Sequence, residues 1–216
     1  MKKFTLFVFV IIIIVALLPR MANAQDEKVQ EDIASKIIRF HVIANSDSVE
    51  DQALKIKIKD EVLRYIAPKL ENSKDIEESR IILNKYDDDI KAIGENIISE
   101  NGYSFKINTE LSNENFPVKS YGDIILPQGK YEAYRIIIGD GKGQNWWCVM
   151  FPPLCFVDIT KGEESISKTK EEMKNVLTKE EYEIVNNNDA MGKENHKVIV
   201  KFKIVELIKE KINKIL

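Results

Sequence analysis

The chain has 216 residues, of which 44% are hydrophobic and 31% charged, with 32 Lys and Arg against 35 Asp and Glu. Disordered chains are poorer in apolar residues and more one-sided in charge, so this balance is typical of a globular protein. The formal net charge of −3 provides no basic face for the phosphates of nucleic acid, and duplex DNA is not an expected partner. We expect a single domain over residues 37–216.

The first 24 residues have the three parts of a secretory signal peptide. Two lysines precede an apolar stretch from Phe4 to Leu18, and Ala22-Asn23-Ala24 provides the small residues of a cleavage site. As a helix this stretch rises about 22 Å, which is less than the ~30 Å of a bilayer core. We therefore expect cleavage after Ala24, with an uncleaved anchor as the alternative. Either way the body is expected outside the cytoplasm. The polar residues 25–36 are predicted to form a tether, with the first turn of a helix as the alternative.

The first elements of the domain are a strand and a helix. Over residues 37–44, Ile38, Phe40 and Val42 alternate with two polar residues, which predicts a strand. Ser48 and Asp51 approximate a capping box, and helical spacing of apolar residues then predicts a helix near 50–67. The same spacing predicts a second helix near 75–100, which ends at Asn101-Gly102.

The remaining segments complete an α+β fold. Further strands are predicted near 103–110, 121–126, 131–138 and 146–150, and C-terminal helices near 165–177, 179–185 and 198–216. We expect a mixed, mainly antiparallel sheet covered by the two long helices. If strand 37–44 pairs in parallel it needs a crossover connection, and the helices between residues 50 and 100 are long enough to provide one.

No motif of a known catalytic or cofactor site occurs. The sequence has two histidines, His41 and His196, and no HExxH, GxSxG or phosphate-loop pattern. The glycines at 139, 141 and 143 lack the spacing of a nucleotide-binding loop, so we interpret them as conformational. The run Asp87-Asp88-Asp89 is interpreted as a solvated helix face. We expect no catalytic group, no cofactor and no metal.

Cys148 and Cys155 are the two cysteines of the chain, and six residues separate them. Zinc knuckles usually have two to four residues between their cysteines, so this spacing argues against a metal site formed with His41 and His196. Outside the cytoplasm such a pair more often forms a disulfide, and two free buried thiols are the alternative. His41, on an alternating strand, is interpreted as a structural hydrogen-bonding residue, with a catalytic base as the alternative.

Three blocks of sequence resemble the stage II sporulation protein R family. The longest is GKGQNWWCVMFPPLCF over residues 141–156. RFHVIANSDS over residues 39–48, followed by Asp51-Gln52, resembles the opening motif of the family. Tyr121-Gly122-Asp123 and LPQGKYEA over residues 126–133 resemble its middle motif. The resemblance extends from about Ile37 to Leu207.

The resemblance implies a signalling function. Members of this family are made in the forespore of an endospore-forming bacterium and secreted into the space between forespore and mother cell. There they activate a membrane-embedded aspartic protease, the stage II sporulation GA protein, which processes the precursor of the mother-cell sigma factor E. Two alternatives stay open: an extracytoplasmic cell-envelope hydrolase or thiol enzyme that uses Cys148 or Cys155 with His41, and a membrane-surface module that acts through the Lys-rich C-terminal helix.

The surface that would contact the protease is expected at residues 140–147. Adjacent residues of a strand point to opposite faces, so at most one of the two indoles can face a given core layer. Rigid aromatic side chains are typical interface anchors. The candidate contact residues are Asp140, Lys142, Asn145, Trp146 and Trp147. The alternative is that both indoles belong to the core.

Overall fold

The computed structural model describes residues 28–156 and 163–186. The predicted signal peptide, His196 and the predicted helix 198–216 lie outside these ranges. The strands are β1 (Ile38–Ile43), β2 (Ile107–Phe116), β3 (Lys119–Tyr121), β4 (Ile124–Leu126), β5 (Gly129–Ile138) and β6 (Asn145–Phe151). The helices are α1 (28–34), α2 (Val49–Leu70), α3 (Ile76–Lys85), α4 (Asp87–Glu100), α5 (Glu163–Val176) and α6 (Lys179–Val185), with a 3-10 turn at Leu154–Phe156.

Four strands form the main sheet in the order β2-β5-β1-β6. The central pair, β1 and β5, is parallel, and both outer strands pair in the antiparallel direction. A parallel pair needs a long connection, and α2, α3 and α4 lie in the chain between β1 and β5. The predicted α+β class with a mixed, mainly antiparallel sheet and C-terminal helices is confirmed.

The sheet has two covered sides, because successive side chains of a strand point to opposite faces. On one side, Phe40 and Val42 of β1 pack with apolar residues of α2 and α4; we call this side the helix face. The other side carries Arg39 and His41 of β1. Its apolar neighbours come from α1, from the β3–β4 hairpin and from α5 and α6, and we call it the hairpin face.

The predicted helix 75–100 is two helices, which meet at Tyr86. The break places Asp87 in the first turn of α4, where its carboxylate accepts hydrogen bonds from the Tyr134 hydroxyl (2.6 Å) and the Thr109 hydroxyl (3.0 Å). The interpretation of Asp87 as part of a solvated face was therefore wrong, because the carboxylate ties α4 to the sheet. Asp88, the next residue, is exposed as predicted.

Residues 121–126 do not join the main sheet, which corrects the prediction. They contribute to the separate β3–β4 hairpin, whose turn contains Gly122 in the left-handed region at φ 59°. The physical reason is local pairing, since the turn at Gly122 folds Ile124–Leu126 back onto Lys119–Tyr121 and the two segments bond to each other. The strand predicted at 103–110 begins later, at Ile107, and continues to Phe116.

Two further boundaries differ from the sequence prediction. Helix α2 continues through Pro68 to Leu70. Residues 28–34, within the predicted tether, are helical, and the Ile33 side chain is fully buried against the hairpin face. Among the helices in the described ranges, none has the length and apolar character needed to cross a membrane.

Candidate functional site

Two loops meet where the parallel strands β1 and β5 end. The first covers residues 44–48 and the second covers residues 139–145; together we call them the two-loop surface. Their backbones bond directly, from the Lys142 amide to the Asn45 carbonyl (3.1 Å) and from the Gly143 amide to the Ala44 carbonyl (2.9 Å). A Cβ on Gly143 would overlap the Ser46 carbonyl. Glycine at this position therefore allows the two backbones to touch.

Side chains of the first loop bind amides of the second. Asn45 Oδ1 accepts from the Asp140 amide (3.0 Å), and Asp47 Oδ1 accepts from the Gln144 amide (2.6 Å). With the two backbone bonds, four amides of the glycine-containing loop are engaged within the protein. These amides are not free to bind phosphate, which supports the interpretation of the glycines as conformational.

Side chains in the first turns of α2 form hydrogen bonds with both loops. The carboxylate of Asp51 accepts from the Ser46 hydroxyl (2.6 Å) and from Asn45 Nδ2 (2.8 Å), and these bonds lower the pKa of Asp51. The Asp51 amide donates to the Ser48 hydroxyl (3.1 Å), so the predicted N-cap is present. On the next turn, Lys55 donates to the Gln144 carbonyl (2.9 Å). Burial lowers the pKa of Lys55.

Sequence reasoning missed Asn45, Asp51 and Lys55 as site residues. The sequence contains part of the information needed to find them. A strand that ends in Asn-Ser-Asp-Ser indicates polar side chains that bond to nearby backbone groups. The partner of those side chains is about 95 residues away in the chain, and local pattern does not identify it.

The predicted contact residues of the second loop are exposed. Asp140 and Lys142 form an ion pair of 2.9 Å, with side chains 67% and 76% exposed. Exposed pairs of this kind contribute little to stability, so both charges are available to a partner. Asn145, the first residue of β6, is also exposed. The structure therefore brings these three residues to one edge of the sheet.

The two indoles lie on opposite faces of β6, as predicted, and both are half-buried. Trp146 packs on the helix face, edge-on to Phe40 with ring centroids 5.8 Å apart. Trp147 lies on the hairpin face and stacks on His41 at 3.9 Å and 18°. Each indole thus packs at the periphery of one hydrophobic cluster and remains partly exposed to solvent.

His41 is poorly suited to act as a base. It is 5% exposed, and burial lowers its pKa to about 4, which leaves the imidazole neutral at pH 7. Asn145 lies near enough to favour the protonated form, but within the described residues neither ring nitrogen has a partner in hydrogen-bond geometry. A general base needs an orienting partner and a pKa near the working pH.

The two cysteines are brought together at the end of β6. Cys148 and Cys155 have Cα atoms 5.6 Å apart and are joined in the structure, within the range that disulfides need. Cys148 is 6% exposed. No group of three or more potential metal ligands forms within the described residues, and His196 lies outside them. The disulfide stays a prediction, with its test below.

Comparison with known proteins agrees with the motifs that build this surface. The model of the family described as stage II sporulation protein R matches residues 34–161. The chain belongs to the stage II sporulation protein R family. The match includes both loops of the two-loop surface, both tryptophans and both cysteines, and it ends before the predicted limit at Leu207.

A curated relative supports the assignment to this family. The chain is 41% identical over 131 residues to a protein named "Stage II sporulation protein R" from Bacillus subtilis (strain 168). That alignment covers 61% of this chain and 58% of the relative. The family is named for a stage of sporulation and not for a catalytic reaction. No solved structure matches the chain.

The burial of His41 predicts a pH dependence of stability. An unfolded histidine takes up a proton below about pH 6.5, whereas folded His41 does so only near pH 4. Between these values the unfolded state binds more protons, so stability falls as the pH falls. We expect wild type to lose up to about 3 kcal/mol more between pH 7 and pH 4 than His41→Gln, measured by urea unfolding.

The same variant tests the role of His41. Folded His41→Gln is expected to keep the signalling activity that the family resemblance implies, because a buried imidazole with a lowered pKa is poorly suited to act as a base. Equal pH profiles for the two proteins would contradict the buried neutral state. Loss of signalling with an unchanged melting temperature would contradict the structural role.

Proposed function

We propose that this chain is a secreted signal that activates a membrane-embedded aspartic protease during sporulation. The protease is the stage II sporulation GA protein, and its activation leads to processing of the precursor of mother-cell sigma factor E. The place of action is the space between forespore and mother cell, which the predicted signal peptide supports. Membership in the stage II sporulation protein R family supports a role in sporulation.

One observation in the structure carries the proposal of a binding function. The opening and signature motifs of the family lie about 95 residues apart in the chain, yet their loops bond into one surface. The amides of Asp140, Lys142, Gly143 and Gln144 all donate to oxygen atoms of the first loop. What remains outward is a set of side chains on a fixed backbone, and such preorganisation reduces the entropy lost on binding.

The proposed contact residues combine charge with an aromatic anchor. Asp140, Lys142 and Asn145 are exposed at the edge of the sheet, and Trp147 follows within two residues. Trp147 is held against His41 and Phe116, so its rotamer is fixed before a partner arrives. Trp146 presents its free part on the opposite side of β6, beside Lys59 of α2 at 4.7 Å from the ring.

The proposal is tested by co-expressing the chain with the protease and the sigma precursor in a host that does not sporulate. Precursor processing should require the chain. Lys142→Ala is expected to reduce processing several-fold while the melting temperature stays unchanged, because the side chain is 76% exposed.

Arg64→Ala is the matched control for this experiment. Like Lys142, Arg64 has a largely exposed side chain (70%) and pairs with an acidic neighbour, Glu61. Arg64 lies on α2, away from the two-loop surface. It should leave processing unaffected. Equal processing by wild type and both variants would contradict the contact assigned to Lys142. Processing without the chain would contradict the function itself.

The disulfide separates this proposal from the thiol-enzyme alternative. Thiol alkylation of the purified secreted protein, denatured without reductant, is expected to find no free cysteine, because the Cα atoms of Cys148 and Cys155 lie 5.6 Å apart, within the range of a disulfide, and the protein is expected outside the cytoplasm. After reduction, two alkylated residues should appear. Two free thiols before reduction would contradict the bridge and would restore Cys155 as a possible nucleophile.

A further inference from the structure

Buried polar atoms without partners are concentrated at one place in the molecule. Within the described part of the chain, eight buried side-chain nitrogen and oxygen atoms have no hydrogen-bond partner. Seven of the eight belong to four residues of the hairpin face: Arg39, His41, Tyr121 and Arg135. Buried polar groups in folded proteins are almost always paired, so a cluster of this kind requires a physical explanation.

Arg39 is the centre of this cluster. Its side chain is fully buried, and its guanidinium carbon lies 4.4 Å from the centre of the Phe116 ring, 4.7 Å from Tyr131 and 5.7 Å from Tyr121. The rings attract the positive charge through their faces. They offer no oxygen to the N–H groups, and none of the three guanidinium nitrogens has an acceptor among the described residues.

No carboxylate among the described residues forms a hydrogen bond with Arg39. Glu110 and Glu114 both pair with Arg135, at 2.5 and 2.8 Å. Burial lowers the pKa of Arg39, opposed by nearby Tyr121 and Tyr131, and no carboxylate contributes. A single positive charge is thus left in an aromatic surrounding. The Tyr121 ring belongs to that surrounding, and His41 packs edge-on against the same Phe116 ring that contacts Arg39, with ring centroids 6.0 Å apart.

We propose that Arg39, together with the Tyr121 hydroxyl and the His41 imidazole, binds a small monocarboxylate. A guanidinium presents paired N–H donors that match the two oxygens of a carboxylate. The hydroxyl and the neutral imidazole can each donate one further hydrogen bond. A ligand with one negative charge balances the one buried positive charge, whereas a phosphate dianion would leave excess charge in an apolar site.

The complete burial of Arg39 favours a free acid over a side chain of a partner protein. A side chain would have to enter together with its backbone, whereas a molecule of the size of formate or acetate can enter during local opening. Binding of a carboxylate at Arg39 would be a property of the protein alone, independent of activation of the protease. Its test therefore uses the purified full chain without partners.

The test is thermal unfolding with acetate as the probe. At pH 7 and constant ionic strength, replacing sodium chloride by sodium acetate is expected to raise the melting temperature. At an acetate concentration ten times the dissociation constant, the melting temperature should rise by roughly 3–6 °C for a protein of this size. Acetamide, the neutral molecule of the same shape, should have no such effect.

Two variants locate the effect at the proposed site. Arg39→Met replaces the charge by an apolar side chain of similar length and should abolish the acetate shift. Tyr121→Phe keeps the ring over Arg39 and removes only the hydroxyl, so it should fold and show a smaller shift than wild type. Absence of a shift in wild type, an equal shift with acetamide, or an undiminished shift in Tyr121→Phe would each overturn the proposal.

Discussion

The contact between Gly143 and the Ser46 carbonyl is the constraint on which the functional surface depends. Because β1 and β5 are parallel, their carboxyl ends meet at one edge of the sheet, and the loops that follow them must pass each other there. The absence of a side chain at Gly143 lets the two backbones bond. Once they do, Asn45 and Asp47 reach the amides of the second loop, and Lys55 reaches the Gln144 carbonyl.

The first turns of α2 make this contact part of the core rather than an addition to it. Asp51 is bonded to both Ser46 and Asn45, and the residues on the same helix face that follow it, Leu54 and Ile58, are buried in the helix-face cluster. A displacement of the loops therefore acts on the packing of α2. The same strand β1 that enters the first loop carries His41 and Arg39, so the surface and the proposed carboxylate site share one rigid support.

Local sequence patterns predicted the elements better than their tertiary roles. The alternation around Phe40, the cap at Ser48 and the helical spacing after it are local signals, and the structure contains each of them. The break at Tyr86 could not be predicted in this way, because Asp87 is fixed by hydroxyl groups of Tyr134 and Thr109 on distant strands. The position of the separate hairpin at 121–126 likewise depends on distant elements, because Ile124 and Leu126 are buried with apolar residues of α1, α5 and α6.

The candidate site shows the same division. Trp146 and Trp147 could be assigned to opposite faces from the pleat of a strand alone. Arg39 was visible only as a polar residue in an alternating strand, and its burial among Phe116, Tyr121 and Tyr131 follows from elements that lie about 80 residues or more further along the chain. The alternation of residues in a strand identifies which side chains share a face of the sheet. The side chains that surround them there are determined by the topology of the fold.

The most direct test of this account is the signalling activity of Gly143→Ala. The added methyl group would overlap the Ser46 carbonyl and Ala44, which lie outside the two hydrophobic clusters, and it forces the two loops apart. We expect a protein that is less stable than wild type but still folded, and whose processing of the sigma precursor falls at least tenfold. Gly102→Ala is the control, since its Cβ meets nothing within 4 Å and its cost is limited to backbone strain far from the loops. Full processing by folded Gly143→Ala would contradict the claim that the joined loops form the surface that the protease recognises.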